Sequence, residues 1–213
     1  MEFSELLLRV GDEPVFETGL LLAGQVSPED VQRQLSRWTK AGRIIQLRRG
    51  LYTLASPFQK KKPHPFLAAN RIVRGSYVSC QSALEFYGLI PEYTPAVVSV
   101  AATRPLRCQN PIGVFEFRHV RVSWLAGYRL LDLGDGQEAF VAMPEKALLD
   151  LIYLQPGGDH PEYLRELRLQ NLDRLDLNAL RQWAGRGGRP KLRRAAECIA
   201  SLARDEAQEY KTL

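Results

Sequence analysis

The chain has 213 residues, 45% apolar and 25% charged, with a formal net charge of +5. That is the profile of a soluble globular protein with enough chain for one large core or two small ones, and it excludes disorder as the dominant state. No apolar run approaches the roughly 20 residues of a membrane-spanning helix, and the acidic start Met1-Glu2-Phe3-Ser4-Glu5 is unlike a basic secretory signal. A cytoplasmic protein with no membrane partner is therefore expected. Cys80, Cys108 and Cys198 are odd in number and widely spaced, with only His64, His119 and His160 to join them. Neither a disulfide framework nor a metal site is expected, and no cofactor.

Charge is unevenly divided. Residues 1–65 carry 10 basic and 7 acidic side chains, residues 66–160 carry 8 and 9, and residues 161–213 carry 11 and 8. Every acid of the first segment lies at or before Asp30, so Val31 to Lys62 holds nine Lys or Arg and no Asp or Glu. A one-signed block is either a solvated tail or a surface for a polyanion. The regular apolar spacing within this block argues against a tail.

Phe3 to Val10 has helical spacing and ends at a Gly11-Asp12-Glu13-Pro14 break. A second short helix is predicted over Glu17 to Ala23, closed by Gly24. Ser27-Pro28-Glu29-Asp30 then offers a serine cap, a proline at the first helical position and two acids in the first turn. In the helix that starts there, Val31, Leu35 and Trp38 share one face, while Gln32, Arg33, Ser36, Arg37 and Lys40 occupy the other. Gly42 stops this helix, and Ile44–Leu47, Arg48-Arg49-Gly50 and Leu51–Leu54 read as strand, tight turn and strand.

Three short helices and a hairpin with arginines at its tip predict a winged helix-turn-helix over residues 1–55. Its third helix would enter the major groove of double-stranded DNA while the hairpin lies along phosphates or the minor groove. The candidate DNA-binding residues are Gln32, Arg33, Ser36, Arg37, Lys40, Arg43, Arg48 and Arg49. Arginine suits the role because its planar fork pairs with guanine or phosphate through two hydrogen bonds. Trp38 is assigned to packing.

Residues 56–65 include three prolines and three consecutive lysines, the pattern of an extended connector. Residues 66–213 form a second, larger region of mixed α+β character. Helices are expected over Phe66–Val73 and Ser79–Tyr87, and strands over Ala96–Ala101, Ile112–His119 and Val122–Trp124, with two more strands joined by Gly134-Asp135-Gly136. Pro144 starts an apolar helix, and further helices are expected near Pro161–Gln170, Leu177–Ala184 and Lys191–Glu209. Ser79 is read as a helix cap, and Asp150 as capping a neighbouring group or meeting an arginine. Arg186, Arg189, Lys191, Arg193 and Arg194 form a second candidate polyanion surface.

No catalytic residue is assigned. The chain has no phosphate-binding Gly-x-x-x-x-Gly-Lys-Ser/Thr, and Gly75-Ser76 is followed only by a lone Glu85 where a nucleotidyltransferase would need paired acids. Glu209-Tyr210-Lys211 lacks the flanking strand of a nuclease signature. A non-enzyme is expected.

Three later strings, Tyr77-Val78-Ser79-Cys80-Gln81-Ser82-Ala83-Leu84-Glu85-Phe86-Tyr87-Gly88-Leu89, Gly113-Val114-Phe115-Glu116-Phe117-Arg118-His119 and Met143-Pro144-Glu145-Lys146-Ala147-Leu148-Leu149-Asp150, resemble landmarks of the AbiEi antitoxin family of type IV, abortive-infection toxin-antitoxin systems. Leu35-Ser36-Arg37-Trp38 through Arg48-Arg49-Gly50-Leu51-Tyr52 is similar to that family's winged helix. The resemblance departs at Cys80 and Tyr87, where the family pattern often has histidine. It implies a protein that binds inverted repeats in its own promoter and represses transcription. It also implies a carboxy-terminal domain that antagonises a nucleotidyltransferase-like toxin without a stable complex, and a monomer that binds DNA in multiple copies. The alternative is an RNA-binding or protein-interaction adaptor using the winged helix.

Overall fold

The computed structural model describes residues 2–22 and 27–209. The fold is mixed α and β. Helix α1 (Phe3–Val10) ends at Gly11 and is followed by β1 (Phe16–Glu17), a single helical turn α2 (Thr18–Leu21), α3 (Pro28–Lys40), and a hairpin of β2 (Ile44–Arg48) and β3 (Leu51–Leu54). The three strands form an antiparallel sheet in the order β1-β3-β2. Residues 23 and 24, expected to finish the second helix, lie outside the described residues. Sequence reasoning missed β1, whose two residues pair with Tyr52 and Leu51; a strand that short leaves no alternating pattern to read.

The small core of this amino-terminal part is Leu6, Val10, Phe16, Leu21, Val31, Leu35, Trp38, Ile44, Tyr52 and Leu54. The ring of Phe3 meets Trp38 edge-on at 5.4 Å and Phe58 at 4.9 Å. Residues 56–65 therefore do not form a loose connector. Phe58 packs on the small core, Gln59 donates to the Leu54 carbonyl, and Lys60 pairs with Asp12. Farther on, the side chain of Gln137 accepts from the His64 amide and donates to the Lys62 carbonyl.

The larger part begins with α4 (Pro65–Ile72), β4 (Tyr77–Val78), α5 (Cys80–Phe86), β5 (Ala96–Ala101), β6 (Leu106–Asn110) and β7 (Gly113–His119). It continues with β8 (Tyr128–Asp132), β9 (Glu138–Ala142), α6 (Pro144–Leu154), α7 (Pro161–Glu166), α8 (Leu177–Arg186) and α9 (Pro190–Glu209). Six strands form one mixed sheet in the order β6-β7-β5-β4-β9-β8. Val122–Trp124, expected as a strand, is a turn of 3-10 helix that follows the extended Arg121 and buries Trp124. The β6 strand was also missed, because its burial alternates between exposed and half-buried with no strong apolar face.

The two parts share a core. Val15, just before β1, and Leu47 and Leu51 of the hairpin are buried in the large cluster with α4, the six-stranded sheet and α6. Asn110, at the end of β6, donates through Nδ2 to the Leu47 carbonyl at 3.3 Å, and Arg74 after α4 donates to Glu17 of β1.

Candidate nucleic-acid interface

Helix α3 is positioned by its first turn and by its buried stripe. Pro28 occupies the first helical position, Glu29 and Asp30 lie in the first turn, and Arg37 and Lys40 lie in the last, each sign matching the helix dipole. Ser27 holds the cap position without a side-chain cap bond. Val31, Leu35 and Trp38 are all buried, which points the opposite face outward. Gln32, Arg33, Ser36, Arg37, Lys40, Arg43, Arg48 and Arg49 are all exposed.

These eight side chains are not equally free. Arg33 reaches Asp30 at 3.1 Å, but both side chains are more than three-fifths exposed, and such a pair contributes little and yields readily to another partner. Arg43 stands 5.0 Å over the Phe3 ring, holding its guanidinium beside the α1–α3 packing. Arg48 and Arg49 close the hairpin with Gly50, whose φ of +82° is a left-handed conformation that favours glycine. The Gly50 carbonyl accepts from the Thr18 amide at 3.0 Å, so the turn is braced by the start of α2.

The second basic set is largely consumed by the fold. Arg189 lies 3.9 Å over the Tyr153 ring and donates to its hydroxyl. Lys191 donates to the carbonyls of Tyr153 and Gln155 at 3.0 Å each, satisfying the open end of α6; partial burial pulls its ammonium below the usual lysine range. Arg194 pairs with Asp159, and Arg186 packs over Trp183. Only Arg193 is exposed with no such engagement among the described residues. Arg189, Lys191 and Arg194 thus tie the α8–α9 junction and the start of α9 to the end of α6 and the loop after it, while Arg186 packs on its own helix.

A buried polar centre lies elsewhere, and sequence reasoning saw only its edges. Lys146 and Asp150, one turn apart on α6, are both completely buried and directly paired. Asp150 Oδ1 also accepts from Trp124 Nε1 at 2.6 Å, and Oδ2 accepts from Ser79 Oγ at 2.7 Å and Tyr77 OH at 3.1 Å. Lys146 Nζ donates to Tyr77 OH at 2.7 Å and sits 4.3 Å over the Trp124 ring. Asp150 therefore meets a lysine, not an arginine. Ser79 stands at the α5 cap position but spends its hydroxyl on Asp150 instead of the helix end. Burial and Asp150 push the Tyr77 hydroxyl far above its ordinary range, and burial pushes the Cys80 thiol up likewise. Neither is an activated nucleophile. With every carboxylate oxygen satisfied and no exposed surface, this centre is built to hold β4, α5 and α6 together. A lysine four residues before an aspartate, on a helix otherwise apolar after Glu145, was the available signal.

Comparison with protein families and with curated proteins finds no match to this chain. Among the described residues, no helix is long and apolar enough to cross a membrane.

Proposed function

We propose that this protein is a DNA-binding transcriptional regulator whose amino-terminal part acts as a winged helix-turn-helix. The observation that carries this reading is the face of α3 on which Gln32, Arg33, Ser36, Arg37 and Lys40 are all exposed, Arg33 in a loose pair with Asp30, while Val31, Leu35 and Trp38 anchor the opposite side. A helix of this diameter fits the major groove, where arginine reads guanine, glutamine reads adenine, and serine reaches either a base edge or a phosphate. Arg48 and Arg49 on the hairpin supply backbone contacts that fix orientation without reading sequence.

The narrower proposal rests on the resemblance to the AbiEi family. In it, the chain represses its own promoter by binding inverted repeats, and residues 66–213 antagonise a nucleotidyltransferase-like toxin. The basic loop and helix start at Arg186–Arg194 contribute less to that antagonism than their charge suggests, since most of those side chains are engaged within the fold.

The deciding experiment is a gel-shift titration of the full chain on the DNA upstream of its own gene, with an unrelated duplex and a duplex RNA as controls. Preferential binding to the upstream DNA is expected. Equal binding to all three would overturn the regulator reading, and preference for RNA would replace it with the adaptor alternative.

A further inference from the structure

A cavity of about 410 Å³ opens between the amino-terminal loop at Glu13-Pro14, helix α4 and the β8–β9 edge of the large sheet. Its volume is within the range of small-molecule sites, and its walls sort into three chemistries. One wall is apolar: Tyr128, Leu130 and Phe140 are 42%, 48% and 44% exposed, and Tyr128 meets Phe140 edge-on at 5.6 Å. Large apolar side chains left open together mark a surface that gains by being covered. A second wall carries Arg71, exposed and with no ion pair among the described residues. On the third are the exposed carboxylates of Glu13 and Glu138, likewise unpaired. Ser76 completes the lining, and its buried hydroxyl has no hydrogen-bond partner, an omission that folded proteins rarely leave.

We propose that this cavity binds a nucleoside monophosphate. A flat aromatic base is the group that covers Leu130, Phe140 and Tyr128. A phosphate answers Arg71, whose guanidinium can donate two hydrogen bonds to it. Ribose hydroxyls donate to carboxylates, which gives Glu13 and Glu138 their partners. Arg74, the other cation of the lining, is paired with Glu17, so Arg71 is left to answer the phosphate, which suits a ligand with one phosphate better than a polyphosphate. An inorganic anion would leave the apolar wall open, and a plain aromatic would leave Arg71 unanswered. This site is independent of the DNA-binding reading and would stand if that reading fell.

The test is isothermal titration of the full chain with AMP, GMP, CMP and UMP, alongside adenosine, ATP and inorganic phosphate. Saturable binding of at least one monophosphate is expected, weakened about tenfold or more by Arg71→Ala, since a hydrogen bond to a charged group is lost, and weakened also by Phe140→Ala. Both positions are exposed, and unchanged thermal melting of the variants confirms that the fold is kept. Absence of saturable binding by all four monophosphates overturns the proposal, as does binding unchanged in both variants. Inorganic phosphate or ATP binding more tightly than every monophosphate overturns it too.

Discussion

Lys146 lies one helical turn before Asp150 on α6, and the two side chains form an ion pair with no exposed surface on either. Taking both charges out of water is costly, and the arrangement persists because Tyr77, Ser79 and Trp124 supply further hydrogen bonds. Removing one partner strands the other. Asp150→Ala is expected to lose about 3 to 5 kcal/mol of stability, and Ser79→Ala, which removes one of several donors, about 1 to 3 kcal/mol. Urea denaturation of the two variants checks the order, and a Ser79→Ala loss equal to that of Asp150→Ala would show the centre to be something other than a carboxylate hub.

On α3, exposed and buried positions should separate cleanly. Arg33→Ala and Arg37→Ala are each expected to weaken operator binding by about 1 to 3 kcal/mol with little change in melting, if they read bases. Trp38→Ala is expected to destabilise the fold by roughly 3 to 5 kcal/mol, as for other buried large aromatics. Binding and melting measured on the same samples distinguish the two effects.

At the hairpin, Arg48→Gln and Arg49→Gln should weaken binding to all duplexes alike. Each lost phosphate contact makes the dependence of log affinity on log salt shallower by about 0.9. A change in sequence preference with an unaltered salt slope would assign these arginines to bases instead.

The Arg74 guanidinium, donating to Glu17, holds that carboxyl below its ordinary value of 4.5. A depressed folded value contributes stability that is fully present above pH 4.5 and is lost as pH falls through the folded value. Glu17→Gln should therefore lower stability at neutral pH by the small amount this mostly exposed pair contributes, flatten part of the acid side of the curve, and converge with the parent as pH falls through the folded value. Some slope will remain, because Asp12, Asp159 and Glu197 are lowered by their own partners. A curve identical to the parent between pH 3 and 5 would place this ion pair outside the folding equilibrium.

Burial of Val15, Leu47 and Leu51 in the large core means that residues 1–62 cannot be cut away without exposing three aliphatic side chains. The full chain is expected to melt in one transition, and the excised fragment to be less stable than its own small core would allow. Leu47→Ala should cost about 2 to 5 kcal/mol and lower that single transition. Two separated transitions in calorimetry would count against the shared core.

Much of the architecture was legible because its signals are local. Pro28 with Glu29 and Asp30, or Pro144 at the head of α6, announces a helix start, and the stripe Val31, Leu35, Trp38 gives the packing face. What was illegible depends on residues far apart in the chain. Asn110 meeting Leu47, Gln137 closing on Lys62 and His64, and Asp150 gathering Tyr77, Ser79 and Trp124 leave no spacing to read. The basic run at Arg186–Arg194 misled for the same reason, since charge is visible in sequence while the Tyr153 and Asp159 that absorb it are 35 or more residues away.

The clasp between Asn110 and Leu47, with Leu47 and Leu51 set into the large core, ties the hairpin to the six-stranded sheet. On a duplex gripped in the proposed way, the bulk of the protein would then project at a set azimuth around the DNA axis. Two copies on one stretch of DNA would stand on the same side when their sites are a full helical turn of about 10.5 base pairs apart, and on opposite sides when half a turn is added. Whether neighbouring copies can touch would thus be dictated by the phase of the sites and not by their distance alone.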